Sequence, residues 1–261
     1  MYREVEQIIT TRNIHTVFQP IFNVTYKQIL GYEALTRGPE GSIYFAPDKL
    51  FQAAIELGLL SDLEMVCREN AIKEFARLNL PGKLFLNISP LVLLDQSHPQ
   101  GETAKLVERS GMNCQQIVIE LSEKYPYPDN NMLRLALDKY REFGFNVAID
   151  DLGAGYSGLK QWSQLRPEIV KVDRYFVEQC HLDSFKHKFI KAIFELAKSA
   201  DTLVVVEGIE TEAEYDFLVN LGMRYAQGFY LDKPSKFPKR TFPRRECTLV
   251  SAHFDKKLSN Q

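Results

Sequence analysis

Eight short apolar runs, all but the first two separated by a helix-sized stretch, constrain this sequence more than any other feature. They span residues 17–22, 29–35, 84–88, 117–121, 147–149, 169–172, 203–206 and 225–230. The stretches between them carry apolar residues at three- and four-residue spacing, as in Phe189, Ile193, Leu196 and Ala197, the period of an amphipathic helix. Only residues 23–28 separate the first two runs, too few for a crossover helix, so these two are expected to form an antiparallel hairpin. Strands alternating with helices over most of 261 residues predict an α/β fold, a (β/α)₈ barrel with an irregular start. A doubly wound sheet is the alternative, because periodicity alone does not close a barrel.

The ends of these runs are polar in an unusual way. The stretch NVAIDDLGAGYSGL, residues 146–159, passes from a short apolar strand into Asp150 and Asp151. It then turns through glycines into a helical run from about Ser157. Glu33 sits late in GYEALTR, Asn87 ends LFLNIS, and Glu120 and Glu123 flank the end of IVIELSE. Lys171 and Asp173 end IVKVD, Glu207 ends LVVVEG, and Gln227 lies in AQGFY. In a parallel barrel all strand C-termini open on one face, so these side chains are expected to share one mouth.

A single acid at a strand end is ordinarily a helix cap or a solvated surface group. Five successive strands delivering carboxylate or amide are another matter, because clustered like charges repel in a partly buried site. Such a cluster calls for cations. The donors are all oxygen, which selects the hard ions Mg²⁺ or Mn²⁺. Six or more oxygens exceed what one Mg²⁺ takes from protein, so two ions roughly 3.5–4 Å apart, sharing a carboxylate, are the economical reading. With an adjacent lysine, such a site suits hydrolysis of a phosphodiester.

Composition narrows the alternatives. A net charge of −2 gives no electrostatic case for binding nucleic acid polymer. No run of eighteen apolar residues exists and the N-terminus is too charged for a signal peptide, so no membrane contact and a cytoplasmic location are expected. Cys67, Cys114, Cys180 and Cys247 are scattered and read as free thiols, and the five histidines show no ligand spacing. After Pro234 the periodic pattern stops. Lys236, Lys239, Arg240, Arg244 and Arg245, interrupted by two prolines, read as a solvated tail or linker. Residues 95–101 read as a surface loop.

At this point the motifs match a family. FQPI (18–21), GYEALTR (31–37), LNIS (86–89), ELSE (120–123), AIDDLGAGYSGL (148–159), VKVDRYF (170–176), EGIET (207–211) and QGFYLDKP (227–234) occur in order. Over residues 2 to about 236 the chain resembles the EAL domain of cyclic di-GMP phosphodiesterases, which implies a modified TIM barrel with an antiparallel first strand. The boundaries that follow are 1–236 for the EAL domain and 237–261 for a tail or linker. The implied activity is metal-dependent hydrolysis of cyclic di-GMP to linear 5′-pGpG. By the same resemblance Glu33, Asn87, Glu120 and Asp150 ligate one ion, Asp151 and Glu207 the second, and Asp150 bridges. Lys171 orients and activates the water, and Gln227 supports the site. Gln19 and Arg37 contact substrate phosphate, with Leu35 beside them. Glu123 braces the loop 151–159, which in this family lies near a homodimer interface.

Two positions depart from the family's pattern: Ala154, commonly Thr, and Gly38, often Trp. Neither is an implied ligand; they bear on loop tuning and substrate fit. The spellings TRGPEGS, FAPDKLF and WSQLRPEIVKVD are similar to members in which the EAL domain comes first and CBS and GGDEF domains follow.

Two rival readings remain. Gly153, Gly155 and Gly158 satisfy G-x-G-x-x-G after a strand, with Asp173 twenty residues on, as a dinucleotide fingerprint would. Asp150 and Asp151 directly before it would repel the pyrophosphate, and four strands precede it where a dinucleotide unit has none. The second rival is a catalytically silent EAL domain that senses cyclic di-GMP or binds a partner protein. Such members typically lose ligands or the lysine, and this chain keeps them all.

Overall fold

A computed structural model describes residues 2–95, 101–122, 130–153 and 158–243 of the protein. Eight strands close into a barrel in chain order, which excludes the doubly wound sheet. They are β1 (His15–Asn23), β2 (Gln28–Arg37), β3 (Lys83–Ile88), β4 (Ile117–Ser122), β5 (Asn146–Leu152), β6 (Ile169–Val172), β7 (Leu203–Val206) and β8 (Tyr225–Ala226). β1 runs antiparallel to both neighbours, β2 and β8, and every other pairing is parallel. The expected hairpin at the start is therefore present.

The helices among the described residues are α1 (Tyr2–Thr11), α2 (Pro47–Glu56), α3 (Leu60–Leu78), α4 (Pro90–Leu93), α5 (Glu102–Arg109), α6 (Asn130–Glu142), α7 (Gly158–Leu165), α8 (Arg174–Val177), α9 (Ser184–Ser199) and α10 (Glu212–Leu221). They pack outside the barrel on the strands' outward residues. One such layer joins Ala71, Ile72 and Phe75 of α3 to Leu84, Leu86, Ile117 and Ile119. Another sets Ile190, Ile193 and Ala197 of α9 with Val170, Val172 and Val206. Among the described residues no helix is long and apolar enough to cross a membrane. Cys67, Cys114 and Cys180 are free thiols.

Inside the barrel the period of two in a strand sorts residues into layers. Ile21, Phe85, Val118, Ala148, Ile169 and Val205 form a buried apolar plug, with Tyr225 packed on it. Two positions along each of these strands stand Gln19, Asn87, Glu120, Asp150, Lys171, Glu207 and Gln227. The same alternation therefore builds the plug and sets one polar group per strand over it.

Two strands differ from expectation. The fifth apolar run spans 147–149 and was expected to end on the two acids, but β5 continues through Asp150 and Asp151 to Leu152. Its register with β6 shifts between Ile149 and Leu152, and Asp151 adopts a left-handed backbone, φ +57°. Asp is one of the few side chains that tolerates this conformation. The eighth run was expected to extend to residue 230, but β8 ends at Ala226. The chain then folds into a turn, Leu231 N–H donating to Gly228 O, and its ladder role passes to Ser235, which exchanges backbone hydrogen bonds with Phe18 on β1.

Past Pro234 the chain stays against the barrel. Tyr32 Oη donates to Lys239 O at 2.9 Å, and Phe242 sets its ring edge-on to Phe22 at 5.4 Å. Basic residues expected only to meet solvent have partners: Lys236 with Glu40 at 2.9 Å, Lys239 with Asp232 at 3.3 Å, and Arg240 with Leu78 O.

Candidate active site

The polar layer converges on one buried ammonium. Lys171 Nζ lies 2.8 Å from Glu120 Oε1, 3.1 Å from Asp150 Oδ1 and 3.3 Å from Glu33 Oε2, and also touches Glu207 Oε1. Lys171 and Glu120 are fully buried, and Glu33 and Asp150 nearly so. Glu33 is held at both oxygens: Gln227 Nε2 donates to Oε2 at 2.7 Å and Asn87 Nδ2 to Oε1 at 3.1 Å. Gln227 Nε2 also reaches Gln19 Oε1 at 3.2 Å, and Gln19 Nε2 donates to Asp232 O. Side chains from β1 to β8, over more than two hundred residues of sequence, thus form one connected centre.

The bulge in β5 sets the remaining acid. Strict alternation would send Asp151 to the face opposite Asp150. Instead, carboxylate oxygens of Asp150, Asp151 and Glu207 all lie within 4.8 Å of one another. Gly153 follows at φ +100°, where a Cβ would fall 2.3 Å from the Phe176 ring. Only glycine lets the chain leave the bulge at that point. A cavity of about 280 Å³ opens over the acids, lined by Glu33, Leu35, Arg37, Asn87, Asp150 and Asp151 among others.

Charge in this centre is out of balance. Four carboxylates crowd one ammonium, which has three N–H groups to share. Burial pulls the Lys171 ammonium down, but Asp150, Glu120, Glu207 and Glu33 outweigh it and hold its pKa well above the ordinary lysine range. Burial pushes Glu120 and Glu207 well above the usual carboxylate range; Lys171 opposes this and the neighbouring acids add to it. Glu120 Oε2 is buried without a hydrogen-bond partner, a placement that costs free energy unless something else coordinates it. An all-oxygen donor set with surplus negative charge and an orphaned buried oxygen fits hard divalent cations.

A sequence profile of the EAL domain matches residues 3–234. The chain belongs to the EAL domain family. Among EAL proteins it is 29% identical over 249 residues to the probable cyclic di-GMP phosphodiesterase PdeB of Escherichia coli, covering 93% of this chain and 46% of that protein. Its match to PdeI of the same organism covers 31% of that protein, so the chain spans less than half the length of these relatives. Solved structures are similar as well, and two serve as examples. BlrP1 of Klebsiella pneumoniae, in a complex with calcium and cyclic di-GMP, has TM-score 0.81 and 27% identity, covering 88% of this chain and 58% of that one. A standalone EAL protein from Vibrio cholerae, in its cyclic di-GMP-bound form, has TM-score 0.76 and 29% identity, covering 85% and 92%.

Of the residues singled out in the sequence, the structure brings Gln19, Glu33, Asn87, Glu120, Asp150, Asp151, Lys171, Glu207 and Gln227 into one centre, with Leu35 and Arg37 on its cavity wall. Glu123 and Ala154 lie outside the described residues. Asp173 accepts from Tyr175 N at 2.8 Å as the cap of α8, which leaves it no part in a dinucleotide site. At Gly38 a Cβ would sit 2.0 Å from Tyr44 O, so the loop after β2 folds back where a tryptophan would need room.

Sequence reasoning passed over Glu64 and Arg68. Both lie on the buried face of α3 with Leu60, Leu63, Cys67, Ala71, Ile72 and Phe75. The signal was there: two charged residues occupy apolar positions of a helical repeat.

Proposed function

We propose that this chain hydrolyses cyclic di-GMP to linear 5′-pGpG with Mg²⁺ or Mn²⁺. The observation that carries the reading is the polar layer around Lys171, which gathers the implied ligands Glu33, Asn87, Glu120, Asp150, Asp151 and Glu207, within a fold similar to cyclic di-GMP-bound EAL structures. Glu33, Asn87, Glu120 and Asp150 would hold one ion, and Asp150, Asp151 and Glu207 the second. Bound there, two such ions would lower the pKa of a water, so that it can give up a proton and attack phosphorus, and would offset the charge that develops there.

The remaining roles belong to the chain's own groups. Gln227 and Asn87 clamp Glu33 from both sides and fix where its oxygens point. Lys171, kept charged by its acids, donates a hydrogen bond to the attacking water and steadies it for in-line approach. Gln19 and Arg37, with Leu35 beside them, receive the substrate phosphate at the mouth. Water adds to phosphorus and gives up one proton, the P–O3′ bond breaks, and the 3′-oxygen takes up one proton, so the step consumes one water and no net proton. The phosphate stays on the 5′ side, giving pGpG.

The same reading makes residues 1–236 the phosphodiesterase unit and 237–261 the start of a linker whose first residues, through Phe242, still rest on the barrel, with CBS or GGDEF domains beyond it in the full protein. It places the protein in the cytoplasm as a homodimer, with Glu123 bracing the loop 151–159 near the dimer contact. The test is incubation with cyclic di-GMP and Mn²⁺ followed by nucleotide chromatography. Linear pGpG is expected; binding without product would instead make the domain a sensor.

A further inference from the structure

α3 carries a buried acid that the chemistry above does not use. Glu64 is 4% exposed and lines the same cavity as Asn87, Asp150 and Asp151. One of its oxygens accepts a hydrogen bond from Ser89 N at 2.9 Å; the other, Oε2, is buried without a partner. A leucine would pack on this helix face with no polar group to desolvate, so a carboxyl is a costly choice unless its acceptor is needed.

What needs it is the backbone leaving β3. Ser89 lies one residue past the strand and caps α4, its Oγ accepting from Leu91 N at 3.2 Å. Its own N–H is turned toward Glu64, and without that acceptor it would be a buried donor left unpaired. Asn87 stands two residues earlier, its amide already engaged with Glu33 Oε1. Holding Ser89 N–H anchors the backbone two residues beyond Asn87, at the end of the strand that carries it.

We propose that Glu64 is a positioning residue for the metal-binding end of β3, holding Ser89 N–H and thereby aiming Asn87. This rests on the assignment of Asn87 as a ligand. Glu64 touches no reacting atom. It acts through the backbone, so its loss misplaces one ligand and leaves the rest of the centre in place.

Mn²⁺ binding, followed by the electron paramagnetic resonance of free Mn²⁺, tests this without any need for turnover. Glu64→Gln keeps the acceptor and should bind Mn²⁺ within about twofold of the parent. Glu64→Leu should weaken binding by about tenfold, within the range that outer-shell partners of metal ligands command. Ser89→Pro approaches from the other side: φ at Ser89 is −70°, which proline adopts, so chiefly the N–H and the Oγ cap are lost. Ser89→Ala removes the cap alone and should bind like the parent. Ser89→Pro should match Glu64→Leu, and the double variant should be no worse than either single one. Additive losses in the double variant would overturn the proposal, and parent-like binding by Ser89→Pro would do so even if Glu64→Leu failed to fold. A parent that binds Mn²⁺ but makes no pGpG would refute the hydrolase reading and leave this measurement intact.

Discussion

Asp150 and Asp151 are consecutive in β5, yet both bring a carboxylate oxygen within 4.8 Å of one on Glu207. Neighbours in a regular strand face opposite sides of the sheet. The bulge and the left-handed Asp151 backbone cancel that alternation. Backbone strain and like-charge crowding are thus both spent at one point of the rim, a combination that functional sites sustain and cores do not.

Asp151→Asn keeps a residue that accepts φ +57° and removes one charge. Activity should fall more than about a hundredfold, beyond what outer-shell changes cost. Stability of the metal-free protein should hold or rise, because repulsion in the cluster is relieved. Thermal melting in EDTA beside a turnover assay checks both. A lower melting temperature in EDTA would contradict the account of the cluster.

Lys171→Met should do the opposite to stability. Four carboxylates then face one another without their ammonium, as when one partner of a buried pair is removed, a loss of about 3–5 kcal/mol. Mn²⁺ should restore more of this variant's melting temperature than it adds to the parent's, since cations replace the missing charge. Equal Mn²⁺ shifts in the two proteins would show that Lys171 is not the charge partner in the metal-free state.

Glu64 predicts a pH dependence with a definite sign. Burial pushes its carboxyl up to about 8, opposed by Arg68 and the Ser89 N–H. The folded state then binds this proton more tightly than the unfolded chain, whose carboxyl titrates near 4.5. Stability from this group is complete below the unfolded value and is lost as pH rises from there to about 8. The slope approaches ~1.4 kcal/mol per pH unit inside that window. Urea midpoints in EDTA between pH 5 and 8.5 should fall with pH more steeply in the parent than in Glu64→Gln. Parallel curves would remove Glu64 as the source.

Deleting residues 237–261 should destabilise the barrel, because Phe242 packs on Phe22 and Lys239 O accepts from Tyr32 Oη. A half-buried Phe and a hydrogen bond together amount to about 2–4 kcal/mol. Deleting only 244–261 leaves those contacts in place, so the 237–261 truncation should melt lower than the 244–261 truncation. Equal melting temperatures for the two truncations would show that the segment contributes nothing to the barrel.

Much of this fold was legible because its signal is local. Six of the eight strands fall within two residues of the apolar runs at each end, and the short link at residues 23–28 foretold the antiparallel pair. The polar layer was legible too, since hydrophilic residues stood in or just after every run from the second onward. What escaped depends on tertiary partners. The left-handed turn at Asp151 follows from register against β6. β8 stops early because Ser235, from later in the chain, takes over the pairing at Phe18. Glu64 stands at an apolar position of the α3 repeat, but what the acid is for shows only with its Ser89 partner.

The central claim is best tested by a metal swap at saturating cyclic di-GMP, with pGpG quantified by chromatography. Ca²⁺ takes the same oxygens but at about 2.3–2.6 Å, against about 2.0–2.1 Å for Mg²⁺, with looser geometry and weaker polarisation of water. Mg²⁺ and Mn²⁺ should each support steady production of pGpG, EDTA should abolish it, and Ca²⁺ should leave substrate bound but unhydrolysed. Turnover with Ca²⁺ equal to that with Mg²⁺, or turnover that survives EDTA, would contradict the two-ion centre on Glu33, Asn87, Glu120, Asp150, Asp151 and Glu207.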